Sequence, residues 1–103
     1  MVELIRALND TGYPFAHHGW ASAPNGTYGV YAEDSASSLW GDGKMQGQLI
    51  RGTIDLFTRD DSGMPLEVVQ AALCSAEVSW YLNTVQFEED TGFIHYEWVF
   101  EVV

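Results

Sequence analysis

Apolar and polar positions alternate with a period of two along FIHYEWVFEV, where Ile94, Tyr96, Trp98, Phe100 and Val102 fall on one face and His95, Glu97 and Glu101 on the other. That period predicts a half-buried strand with one apolar and one wet face. Val78, Trp80 and Leu82 begin a preceding strand, and Glu89-Asp90-Thr91-Gly92 supplies the turn of a hairpin between the two. A third strand is expected at Leu49–Phe57, with Ile50, Gly52, Ile54 and Leu56 facing inward and Leu49, Arg51, Thr53, Asp55 and Phe57 facing the other way.

The helical period of 3.6 appears twice. Val2, Leu4, Ile5 and Leu8 make a short amphipathic helix that stops at Thr11-Gly12-Tyr13-Pro14. Asp60-Asp61-Ser62-Gly63 ends the third strand, Pro65 suits a first helical turn, and Leu66, Val69, Ala72, Leu73 and Ala76 then form one face of a second helix. Carboxylates in that turn favour the positive end of the helix dipole. Phe15–Trp20 and Thr27–Ala32, on either side of Ser22-Ala23-Pro24-Asn25-Gly26, read as two more strands around a loop.

Residues 33–47 hold Ser35, Ser37, Ser38, Gly41, Asp42 and Gly43 around an isolated Leu39-Trp40 pair, and sustain neither period. The expectation there is a long mobile loop, with Leu39, Trp40, Asp42, Lys44 and Met45 as the candidate oligomer or partner interface. The order helix, strands, loop, strand, helix, hairpin predicts an α+β fold: one domain over residues 1–103, a mainly antiparallel sheet and two short helices packed on one face. It lacks the βαβ alternation of a nucleotide-binding sheet.

Composition narrows the function. A chain of 103 residues supports one core. Fifteen acidic against four basic residues give a net charge of -11, which repels phosphates and argues against sequence-specific nucleic-acid binding. The single cysteine, Cys74, rules out an internal disulfide and is expected as a small buried hydrophobe on the apolar side of the second helix. No apolar run approaches bilayer-spanning length, and MVELIRALND reads as neither signal nor anchor, so no membrane partner is expected.

Candidate chemistry is sparse. His17-His18 could ligate a metal, but strand neighbours point to opposite faces, so the two rings are not expected to converge on one ion. His95 and Glu97 share the wet face of the last strand without a nucleophile or oxyanion-stabilising motif beside them. Glu88-Glu89-Asp90 and Asp60-Asp61 lack the alternate-position spacing of an EF-hand loop. The expectation is no enzyme, no catalytic residue, no cofactor and no metal. Of the four tryptophans, Trp80 and Trp98 are expected in the core, while Trp40 has no local period to bury it.

The ordered set TGYPFAHHGW, TYGVYAEDS, WGDGKMQ, IDLFTRDDSGMPLEVVQAAL and WYLNTVQFEEDTGFIHYEWVFEV resembles the tail terminator and tail-completion proteins of long-tailed bacteriophages, the lambda tail terminator among them. Order and spacing over nearly the whole chain carry the resemblance. It implies a structural virion protein, made in the host bacterial cytoplasm, that forms a ring, with six members the expected number, at the head-proximal end of the tail tube. Such a protein stops tube polymerisation and joins tail to head, with itself, the tail tube protein and a head completion or connector protein as partners. The alternative is an acidic DNA-mimic inhibitor or antitoxin-like protein, in which carboxylates arrayed along one face would imitate phosphates. Here the acids concentrate in turns instead (Asp60, Asp61, Glu88, Glu89, Asp90).

Overall fold

A computed structural model describes every residue except Asp42, and every side chain within its helices and strands except those of Leu39, Trp40, Met45 and Gln46. The chain runs α1 (Val2–Asp10), β1 (Phe15–His17), β2 (Tyr28–Gly41), β3 (Lys44–Thr58), α2 (Met64–Ser75), β4 (Ser79–Glu88) and β5 (Phe93–Val102). The strands form one five-stranded sheet in the order β1-β2-β3-β5-β4. Every neighbouring pair is antiparallel except β1 with β2, which is parallel. The fold is therefore α+β, as the periodicity predicts.

The core lies between the sheet and the two helices. Leu4 and Leu8 of α1 and Val69 and Leu73 of α2 close over Ile54, Leu56, Tyr96, Trp98 and Phe100. These are the inward positions expected from the alternation of β3 and β5, whose register pairs Ile54 with Trp98 and Leu56 with Tyr96. Trp98 is fully buried and still keeps its indole N–H satisfied, donating to Gln70 Oε1 at 3.2 Å. Two glycines allow rings to lie flat on the sheet. A Cβ at Gly52 would stand 2.1 Å from the Ala32 carbonyl and 2.7 Å from the Phe100 ring, and one at Gly29 would overlap the Phe15 ring.

The largest departure from expectation is the segment anticipated as a long mobile loop. Residues 33–41 and 44–49 belong to strands β2 and β3, which pair continuously from Tyr28↔Phe57 to Gly41↔Lys44. The connection is a tight hairpin in which Gly43 takes φ +74°. Two register shifts, at Glu33/Ser35 and Leu39/Trp40, break the alternation. Such bulges move successive side chains out of phase, so the sequence shows no sustained period although the backbone is extended.

Because β5 meets β3 only from Ile50 onward, residues 37–41 and 44–49, among the described residues, pair only with each other and project as a two-stranded arm. The free part of β3, positions 44–49, spans about 20 Å at ~3.3 Å per residue. The molecule is accordingly long, 52 × 25 × 21 Å, with a radius of gyration of 14.9 Å. A compact chain of this length would have about 13 Å.

Smaller corrections concern three residues. Cys74 is exposed, because it sits one helical step past the buried Leu73. Trp80 packs against the core as expected but stays half-buried, since it lies on the edge strand β4. The strand expected to reach Trp20 ends at His17, where the next residue, His18, takes a left-handed φ of +69°.

Candidate assembly surface

Among the described residues, the two edges of the sheet leave strand backbone and apolar side chains uncovered. At one edge, β1 covers β2 only at Gly29, Val30 and Tyr31, and β2 then runs on to Gly41. At the other edge, β4 is ten residues long and pairs on its inner side with β5. Paired residues of an antiparallel sheet share a face, so Trp80, Leu82, Val85 and Phe87, opposite Phe100, Trp98, Tyr96 and Ile94, stand on the side that carries the helices. The helices cover β3 and β5 and stop short of β4. Leu82 is therefore 37% exposed, Val85 54% and Phe87 64%.

A bulge between Leu82 and Thr84 keeps these three on one face despite the spacing of three between Leu82 and Val85. Sequence reading found Val78, Trp80 and Leu82 and missed Val85 and Phe87, which continue the alternation one residue out of phase. That phase shift was the available sign.

Of the interface residues expected from sequence, Lys44 is exposed and begins β3 at the arm's tip. Asp42 and the side chains of Leu39, Trp40 and Met45 lie outside the described residues. The backbone of Leu39, Trp40 and Met45 belongs to the arm, with Leu39 opposite Gly47 and Trp40 opposite Met45.

The helix-free face of the sheet holds Tyr28, Asp55, His95 and Glu97 and most of the ring contacts. Tyr28 stacks on Phe57 at 4.9 Å, Phe57 on His95 at 4.3 Å, and Phe93 meets both Tyr28 and Phe57 edge-on. Arg59 lies 3.9 Å above the Phe93 ring and donates to the carbonyls of Thr91 at 2.8 Å and Asn25 at 2.9 Å. One guanidinium thus ties the β4–β5 turn to the loop before β2. Burial, with a smaller contribution from Glu88, raises the Tyr28 phenol, and Arg59 partly opposes the rise.

His95 does not pair with Glu97 along its own strand. Its Nε2 donates to Asp55 Oδ1 of β3 at 2.6 Å, while Glu97 accepts from Asn83 Nδ2 at 2.9 Å. Burial pushes the Asp55 carboxyl up, and the hydrogen bond and charge of His95 only partly offset it. With one edge bonded to Asp55 and one face stacked on Phe57, His95 acts as a clamp between β3 and β5.

His17 and His18 also differ from expectation, because the left-handed φ of His18 swings its ring onto that of His17, with centroids 3.9 Å apart. His17 Nε2 bonds to Glu33 Oε1 at 2.7 Å and its ring lies on Tyr31. Desolvation is the largest influence on Glu33 and acts upward, but the His17 hydrogen bond and the charges of His17 and His18 together hold its carboxyl below the usual value. Among the described residues, no group of three or more His, Cys, Asp or Glu is placed to hold a metal ion. Asp60 is held down by hydrogen bonds from Ser62 and serves the turn before α2.

Concavities among the described residues are open grooves rather than chambers. One of about 290 Å³ separates α1 from α2 and is lined mainly by Ala7, Thr11, Val68, Ala71, Ala72 and Ser75.

No family model and no curated protein matches the sequence. In fold the chain is similar to a chain in the virion of a native gene transfer agent particle, at 15% sequence identity and a TM-score of 0.54, over 95% of this chain and 81% of that one. The likeness is one of backbone architecture.

Proposed function

We propose that this protein is a non-enzymatic structural subunit of a phage-like virion, forming a ring at the head-proximal end of the tail tube that stops tube polymerisation and joins tail to head. The observation that carries this reading is the fold likeness to a gene transfer agent virion chain across nearly the whole length. The sheet edges support it, since a subunit that assembles needs surfaces its own fold leaves open, and this one has a projecting arm and an exposed apolar strip. The net charge of -11 suits a ring around a DNA passage, because an acidic wall does not adhere to the phosphate backbone.

Light scattering of the purified protein, alone and with the tail tube protein, tests the proposal. The expected result is a closed oligomer of the 11.5 kDa chain, or a complex that caps tubes at one end. In particles lacking the protein, tubes should grow past their normal length. A monomer that ignores tube protein and binds a nuclease would instead make it a DNA mimic.

A further inference from the structure

We propose that the outer edge of β4 accepts a strand from a second copy of this chain, namely residues 35–40 of β2, so that one sheet continues from copy to copy. The inference rests on the ring reading for the existence of copy-to-copy contact and names the surfaces that make it.

The acceptor carries one bulge, between Leu82 and Thr84, and none of the other usual protections. Natural edge strands are usually short, charged, broken by proline or covered, because a row of open N–H and C=O groups templates pairing with another chain. β4 runs for ten residues, and Ser79–Phe87 contains no charged residue and no proline. Beside that edge stand Leu82, Val85 and Phe87, an exposed apolar strip on the order of a few hundred Å².

The donor has matching features. Beyond Tyr31, no strand pairs with the outer side of β2 among the described residues. Residues 35–40, SASSLW, carry no charge, and Ser35, Ala36, Ser37 and Ser38 are small enough to lie close to another backbone. On a chain of net charge -11, like-charge repulsion is the main obstacle to self-association. Two uncharged strands are segments that can meet without opposing carboxylates.

Position decides which copy is joined. In the order β1-β2-β3-β5-β4, donor and acceptor lie on opposite edges of the sheet. They also lean toward opposite ends: β2 leads to the arm's tip, while Leu82–Glu88 leads to the turn held by Arg59. A copy therefore cannot satisfy its own β4 with its own arm. Each copy has one donor and one different acceptor, which makes the contact heterologous, the kind that closes rings.

The test pairs an acceptor variant, Val85→Glu with Phe87→Glu, with a donor variant, Ala36→Glu with Ser38→Glu. All four positions are exposed, so melting temperature and far-UV circular dichroism should match the parent. Light scattering with and without tube protein should show each variant alone reduced to the 11.5 kDa monomer. An equimolar mixture should recover a dimer and nothing larger, because one intact donor then meets one intact acceptor. Loss of assembly in the acceptor variant alone would mean that two β4 edges pair with each other, and would overturn the proposal. So would an acceptor variant that keeps its ring and loses only tube binding, since β4 would then serve the tube protein. If the parent forms rings and both variants do so equally, this contact is wrong and the ring reading survives. If the parent stays monomeric with and without tube protein, both fall.

Discussion

β4 and β5 are the two strands of one hairpin and place apolar residues opposite one another on the helix-bearing face, yet these have opposite fates. On the helix-bearing face, β5 presents Ile94, Tyr96, Trp98 and Phe100 to α1 and α2, and Trp98 and Phe100 lose all contact with solvent. One strand outward, β4 presents Leu82, Val85 and Phe87 on the same face and leaves them open. Alternation decides which way a side chain points. Whether anything lies there to cover it depends on where the strand stands in the sheet, and two short helices cover only its middle.

The difference can be measured. Trp98→Ala should cost about 3 to 5 kcal/mol of stability in denaturant titration, from the cavity left under the helices. It would also strip Gln70 of the indole donor. A loss below about 1 kcal/mol would mean that β5 is not the centre of the core.

Gly52→Ala probes the same strand from its neighbour. The added methyl would collide with the Ala32 carbonyl and the Phe100 ring, and overpacking of this kind costs about 1 to 3 kcal/mol. A Gly52→Ala protein as stable as the parent would show that the Phe100 ring does not lie flat against β3.

On the other face, Asp55 links stability to pH. Its carboxyl is raised by burial, so above both its folded and unfolded pKa values the folded state bears the cost of a half-buried charge. As pH falls through the folded pKa toward the unfolded value of 3.8, the folded state takes up the proton first and this cost disappears. Asp55→Asn should therefore be as stable as the parent or more so at neutral pH, with the advantage shrinking on acidification. His95, Glu97 and Asp34 surround the group, so melting temperatures should be compared pairwise at each pH. An advantage that grows toward low pH would mean that the His95 bond outweighs burial.

Phe87→Ala should give the smallest effect, less than about 0.5 kcal/mol in the monomer, because the ring is already mostly in water. Hydrogen exchange sharpens the contrast. In the monomer, amides of β5 flanked by β3 and β4 should be protected throughout, while β4 amides pointing outward exchange fast. Assembly should protect those outward amides, and unchanged exchange on assembly would remove β4 from the interface.

Much of the fold was legible in the chain. The face assignments of β3 and β5, the helix over Val2–Asp10, the helix after Gly63 and the turn at residues 89–92 all follow from local periods and turn residues. The arm was not legible as a strand pair, because bulges at Glu33/Ser35 and Leu39/Trp40 hide its alternation, although the Asp42-Gly43 dipeptide is a strong hairpin signal by itself. The exposed strip of β4 was not legible as such, because nothing local marked Val85 and Phe87 as exposed.

The sequence by itself determined periodicity, charge and turn chemistry, because these depend on a residue and its near neighbours. It therefore settled the α+β class, the facing of β3 and β5, and a net charge of -11. Only the tertiary structure decided strand order, which places β4 at an edge and β5 in the interior of the sheet although both alternate apolar residues on the helix-bearing face. It also placed Asp55 beside His95 across forty residues and brought His17 onto His18 through one left-handed residue. Burial and strand-edge exposure are properties of what packs alongside, and no period within a strand records its neighbours.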